Sequence, residues 1–350
     1  MSDSGNIVAD TATRIFADLA DPQTVNAAKD AAWKRPLWRA LEDAGLPLAW
    51  VPDELGGAGA SLADGFAAVS VAGRFASPVP LVETLLAGWL LSQAKIAAPA
   101  GPMTVAPMRR TDRIALGAGG SLSGRAHHVA FAQEADHIAV LAEGCIALVE
   151  TKACRLTDRR SLSGDPVAEV SFDKVRPVAV ADAPAGFVSD TLMLMGATAR
   201  ALETAGALEA ILALSVRYAG ERVAFERPIG KFQAVQHNLA RLAGEAAAAM
   251  TAATSAADAI ANAETFDEGI FLEAASARIR SAEAATEGAA IAHQVHGAIG
   301  YTREHILHRF TLRLLAWRDD FGNESQWAVE LGNRIAAAGA DALWPLVASR

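Results

Sequence analysis

Two cysteines in 350 residues, Cys145 and Cys154, leave no room for a disulfide framework and offer no paired spacing for structural zinc. They read as small core residues of a chain kept in a reducing compartment. No stretch reaches the ~18 uninterrupted apolar residues of a spanning helix. The most apolar early segment, Leu81 to Ala94, is shorter and carries Glu83. The opening MSDSGNIVADTATRIF has no basic region ahead of an apolar run, so it does not read as a secretory signal, and the expected location is cytoplasmic, without a membrane partner. Basic residues are the minority, 31 Lys and Arg against 40 Asp and Glu, for a net charge of −9. That balance lacks the basic face nucleic acid requires. It suits a protein that handles small anionic ligands through a few local arginines.

What is present is apolar material: hydrophobic residues make up 52% of the chain, enough for a substantial core. The length calls for two or three packed units. Residues 1–100 read as a helical domain. Ile7, Val8, Ala12, Ile15, Phe16 and Leu19 recur at helical spacing, and a weaker pattern runs from Gln23 to Lys34. Pro36 restarts the chain, and Gly45-Leu46-Pro47 ends the helix that follows. After the loop VPDELGGAG (Val51 to Gly59), Ser61 and Asp64 mark a capped start. Residues 101–186 change period. Strands are expected at Ile114 to Leu116, Val129 to Phe131, His137 to Leu141, Cys145 to Glu150 and Val167 to Phe172. The glycine-rich GAGGSLSG (Gly117 to Gly124) is followed by more strand pattern and not by a helix, so it reads as a hairpin and not as a dinucleotide loop. Residues 187–350 return to helical periodicity, with segments Val188 to Gly220, Phe232 to Ala263, Phe271 to Ala298, Arg303 to Trp317 and Ser325 to Ala338. Alanine dominates Gly244 to Ala263. Small side chains let helices approach closely, so an antiparallel bundle with a dimer or tetramer interface is expected.

The chemistry concentrates at a helix break. In RYAGERVAFERPIGKFQAVQHNLA (Arg217 to Ala240), Arg-Pro-Ile-Gly stops one helix and restarts another. Arg222 and Phe225 precede the break; Phe232, Gln233 and Gln236 follow it. A fixed cation, two rings and two amides suit a planar ligand bearing phosphate, because a guanidinium matches phosphate oxygens in pairs. A second stretch, Gln294 to Tyr301, reads QVHGAIGY. With R-x-x-F, P-I-x-x-F-Q and the later F-G-N-E-S-Q, the order and separation of these motifs resemble the acyl-CoA dehydrogenase family of flavoenzymes. The likeness is strongest from Thr191 to about Ile335, and Val51 to Gly59 resembles a loop of that family's first domain.

The resemblance implies a mostly helical fold with a small β domain: a helical N-terminal domain, a β-barrel-like middle domain and a C-terminal four-helix bundle. It implies FAD as cofactor. Arg222 would meet the pyrophosphate with Val223 and Ala224 in the same turn, Phe225 would lie near the adenine, and Phe232 and Gln233 would touch the cofactor. Gln294, Val295, His296 and Gly297 of a neighbouring subunit would cover another part. The implied reaction is α,β-dehydrogenation of an acyl-CoA thioester, in fatty-acid or steroid side-chain degradation, with electrons passed to an electron-transfer flavoprotein.

The chain departs from that pattern at the base. The family's usual glutamate falls on Gly322, or on Phe321 when counted from Gln294, and an alternative base position falls on Gly196. Asp319, Asp320 and Glu324 lie nearby, so Asp320 and Glu324 are the catalytic candidates. The glycine usual after the phenylalanine is Glu226 here. Some family members pair unlike subunits, one of which has lost cofactor or base residues, and this chain is also readable as such a half-site subunit. His293, His296, His305 and His308 do not form a metal-binding signature, and Gly297 to Gly300 breaks the helix between the two pairs, so no metal is assigned.

Overall fold

The computed structural model describes residues 6–348. Five helices come first: α1 (Ile7–Leu19), α2 (Pro22–Ala27), α3 (Lys34–Asp43), α4 (Leu62–Phe75) and α5 (Leu81–Gln93). Their starts follow the expected chemistry. The Asn6 side chain accepts from the Ala9 amide at 3.0 Å, and Ser61 Oγ accepts from the Asp64 amide at 3.1 Å while donating to its carboxylate at 2.8 Å. The weak pattern from Gln23 to Lys34 is helical only as far as Ala27. In α5 every residue from Leu81 to Leu91 is buried, Glu83 included, as expected of a helix apolar on all sides.

The strands form two four-stranded sheets. Their ranges are β1 (Met103–Ala106), β2 (Arg113–Leu116), β3 (Leu122–Ala130), β4 (His137–Ala142), β5 (Cys145–Glu150), β6 (Arg155–Arg160), β7 (Pro166–Val175) and β8 (Ala179–Asp182). One sheet has the order β1-β4-β5-β8, with β1 parallel to β4 and the rest antiparallel. The other is antiparallel in the order β2-β3-β7-β6. The glycine-rich segment is the β2–β3 hairpin, pairing Leu116 with Leu122. Strand β3 carries a bulge: Ala126 pairs with Val170 and Val129 with Ala168, so three steps on β3 match two on β7. Within that bulge His128 adopts a left-handed φ of 57°.

Three long helices, α6 (Ser189–Glu221), α7 (Gln233–Ala261) and α8 (Glu268–His296), then run up, down and up. Between α6 and α7 lie the two-residue strands β9 (Val223–Ala224) and β10 (Arg227–Pro228). Helices α9 (Leu307–Trp317) and α10 (Glu324–Ala338) pack back on α8, and α11 (Ala340–Ala348) follows. On α7 the buried residues Leu242, Ala246, Ala249, Ala253, Ala256, Ala257 and Ile260 recur every three or four positions, one stripe facing the bundle. The first helices are joined tightly to this bundle: a Cβ on Gly73 would lie 2.0 Å from the Glu203 carbonyl oxygen, and one on Gly206 2.1 Å from that of Ser70. Helices α4 and α6 therefore cross backbone to backbone, which carries α5 and Glu83 to the flank of α6. No helix among the described residues is long and apolar enough to cross a membrane.

Candidate active site

The expected ligand corner lies where α6 ends. Ala224 pairs with Arg227 across a two-residue turn, and both turn residues have left-handed backbones, Phe225 at φ 52° and Glu226 at φ 65°. A turn with two positive φ values closes a tight hairpin but disfavours side-chain-bearing residues. That geometry explains why glycine is expected after the phenylalanine; Glu226 takes the strained conformation instead. The Phe225 ring is 89% exposed and meets Phe232 edge to face at 6.2 Å. Arg227 is used locally, its guanidinium 4.1 Å above the Phe232 ring. Gln236 donates to the Gly230 carbonyl at 2.9 Å. Arg222 is exposed and its guanidinium makes no ion pair or hydrogen bond among the described residues.

The distant glycine turn reaches the same end of the bundle within one chain. Helix α8 stops at His296, where Gly297 takes φ 65°. His296 stacks on Tyr218 of α6 at 4.5 Å, and the Tyr218 hydroxyl donates to the His296 carbonyl at 3.2 Å. Tyr218 is one turn before Arg222, so the two motifs are clamped side by side. Val295 is buried, whereas Gln233, Gln294 and Gly297 are exposed. The histidines are spent on packing: His293 stacks on Tyr301 at 4.3 Å and bonds Thr311, and His296 lies 4.7 Å from His305. Burial lowers the proton affinity of His293, His296 and His305, so they are largely neutral at neutral pH.

The base region lies further down α6. The two positions where a carboxylate was sought touch each other: Phe321 is fully buried at φ 54°, and a Cβ on Gly196 would lie 2.3 Å from its ring. At Gly322, φ 92°, a Cβ would lie 2.8 Å from Trp327 Nε1. A phenyl ring thus stands at one of the two positions expected for the carboxylate, and it requires glycine opposite.

Around this contact lies a charge cluster that the sequence reading missed. Arg200, one turn after Gly196 on α6, donates through Nε to Asp320 at 2.9 Å and through its two terminal nitrogens to Glu203 and Glu83. Arg278 of α8 donates to the carbonyls of Gly322 at 3.1 Å and Asp320 at 2.8 Å. His128 Nε2 approaches Asp320 Oδ1 at 3.4 Å. Burial pushes Glu203 up to about 7 despite Arg200, and it raises Glu83 as well. Asp320 goes the other way: burial is outweighed by Arg200, His128 and Arg278, which hold it below the ordinary carboxylate range. A base in a dry pocket needs a raised proton affinity. Asp320 has the opposite, and Glu324 is tied to Arg318 at 2.8 Å, so the geometry does not favour either candidate as the proton acceptor. Arg200 and Glu203 were visible as charges three apart in the apolar run Leu192 to Leu208, but the other two partners of Arg200 lie more than a hundred residues away.

The family model "Acyl-CoA dehydrogenase, C-terminal domain" matches residues 187–322. Acyl-CoA dehydrogenase IpdE2 of Mycobacterium tuberculosis is 32% identical over 310 residues, spanning 87% of this chain and 88% of its own. The chain belongs to the acyl-CoA dehydrogenase family. The acyl-CoA dehydrogenase FadE34 of the same organism is 30% identical, with 85% of this chain matching 41% of that longer protein. Among solved structures, the ChsE4-ChsE5 complex from Mycobacterium tuberculosis superposes with a TM-score of 0.83 at 23% identity, covering 96% of this chain and 98% of the other. A variant of the Tcur3481-Tcur3483 steroid ACAD gives 0.82 at 26% identity, covering 95% and 98%. This acyl-CoA dehydrogenase therefore has the family's fold over nearly its whole length and lacks a carboxylate at both expected base positions.

Proposed function

We propose that the protein removes two hydrogens from the α and β carbons of an acyl-CoA thioester, using FAD held at the end of α6, and passes the electrons to an electron-transfer flavoprotein. The observation that carries this reading is Arg222: an unspent guanidinium beside an exposed phenylalanine, clamped through Tyr218 and His296 to a glycine turn. These residues fit the cofactor. A free cation answers the pyrophosphate, Phe225 and Phe232 offer apolar planes, Gln233 and Gln294 are exposed amides, and Gly297 has open space where a side chain would stand. The bound flavin supplies the hydride acceptor. The protein's own share is to neutralise the phosphates, exclude water and take the α-proton. The likeness to a steroid ACAD supports an acyl chain borne on a ring system.

Residues 1–100, 101–186 and 187–350 serve here as three domains around that site, in an oligomer whose neighbour contributes its own Gln294-to-Gly297 turn. The Phe321–Gly196 contact favours a second reading, a subunit that completes the flavin site of an unlike partner, and the heteromeric ChsE4-ChsE5 neighbour is consistent with it. Both readings are tested by the visible spectrum of the purified chain, alone and mixed with its partner, followed by bleaching with a panel of acyl-CoAs. Flavin bound and bleached by the chain alone supports the first reading. Flavin held only with a second chain supports the second, and no flavin in either state contradicts both.

A further inference from the structure

We propose that His128, oriented by Asp320 and Arg200, is the group that takes the α-proton. This rests on the dehydrogenase reading above. The ionisable groups around the Gly196–Phe321 contact are Glu83, Glu203, Asp320, Arg200, Arg278 and His128. Arg278 is fully buried, and the side chains of Arg200, Glu83, Glu203 and Asp320 are 2%, 1%, 8% and 6% exposed, whereas that of His128 is 26% exposed. His128 is therefore the most exposed member of the cluster. The others already hold one another.

The backbone is built to put it there. The bulge in β3 inserts one residue against β7 and turns His128 into the left-handed region, a strained conformation for a ring-bearing side chain. Its Nε2 is thereby brought to 3.4 Å from Asp320, the residue directly before Phe321. Asp320 is fixed in turn by Arg200 on its side chain and by Arg278 on its carbonyl. In the tautomer that carries its proton on Nε2, the nitrogen facing Asp320, Nδ1 holds the lone pair, and no hydrogen bond of Nδ1 is present among the described residues. A buried aspartate holding one imidazole nitrogen so that the other accepts a proton is a general-base arrangement. The α-carbon–hydrogen bond breaks, its proton goes to Nδ1, and its electron pair becomes the new carbon–carbon double bond as the β-hydrogen leaves with its pair to the flavin oxidant. The imidazolium so formed faces Asp320. The other charges on β3, Arg125 and His127, are paired with Glu169 and Asp112.

The test uses the flavin-loaded protein and a 3-thia-acyl-CoA, which has no β-hydrogen, in deuterated buffer. Deuterium entry at the α-carbon is followed by mass spectrometry. His128→Gln is expected to slow exchange about 100-fold with the flavin spectrum unchanged, and Asp320→Asn, a positioning change, to slow it less. Exchange within twofold of wild type in His128→Gln overturns the proposal while leaving the dehydrogenase reading intact. Wild-type protein that holds no flavin contradicts that reading instead. A readout needing no variant is ethoxyformylation of wild-type His128 by diethyl pyrocarbonate, located by peptide mass spectrometry. Protection by the 3-thia-acyl-CoA supports the assignment, and equal labelling with and without it contradicts it.

Discussion

Arg200 on helix α6 and Arg222 at its C-cap lie about six turns apart in surroundings that are opposite. Arg200 is buried and its side-chain nitrogens serve Asp320, Glu203 and Glu83. Arg222 is exposed, and its guanidinium makes no ion pair or hydrogen bond among the described residues. The first arginine is consumed by the fold; the second is the one proposed to meet a ligand. A buried charge whose partner is removed leaves others uncompensated, whereas an exposed one is worth little to stability. The contrast predicts which substitution unfolds the protein and which only empties it.

The largest effect is expected at Arg200→Met, which strands three buried carboxylates. Urea denaturation should show a loss of about 3–5 kcal/mol, and a loss below 1 kcal/mol would break the comparison. Next comes Gly196→Ala, whose methyl group would enter the Phe321 ring. A cost of about 1–3 kcal/mol or more is expected, and combining it with Phe321→Ala should relieve that clash in a double-mutant cycle. Additive costs would mean the two residues do not compete for one space.

The cluster also sets a pH dependence. Glu203 is raised from 4.5 to about 7 by burial, so the folded state holds a proton that the unfolded state has lost. Stability tied to this group is full below pH 4.5 and is lost as pH rises to about 7. Glu203→Gln should flatten that decline, which for a buried coupled group is worth roughly 1–3 kcal/mol between pH 5 and 8. The smallest effect is expected at Glu226→Gly. Relief of a left-handed backbone should raise stability by about 0.5–1 kcal/mol, and a loss would show that the Glu226 side chain has a role of its own.

The two regions also differed in how far the sequence revealed them. The break between α6 and α7 was legible because a proline, two glycines and their neighbours lie within a few residues, and a local break has local causes. The long helices and the β2–β3 hairpin followed from periodicity and turn residues. Strand β6 did not, because RLTDRR is an exposed, charged edge that reads as a loop. Strand β1 is buried throughout and shows no alternation. Helix α8 begins at Glu268, two residues before its first large apolar residue, Ile270, and α9 begins at Leu307 because Thr302 to Ile306 is spent on a turn. The Arg200 cluster was hidden for another reason. It joins α5, α6, α8, β3 and the segment after α9, and no local pattern announces a contact made by folding. Asp320 was singled out for its position in the chain, but its chemistry is decided by Arg200, 120 residues away.

The most direct test of the account is the flavin affinity of Arg222→Ala, measured by titrating apoprotein with FAD in the assembly that carries flavin, alongside its thermal midpoint. Binding weakened by about 100-fold or more, with the midpoint of the flavin-free protein unchanged, is the predicted result, since a guanidinium without a partner among the described residues can pair with phosphate oxygens. Flavin bound as tightly as in wild type would show that the cation at the end of α6 is ordinary surface, and that the cofactor, if one binds, lies elsewhere.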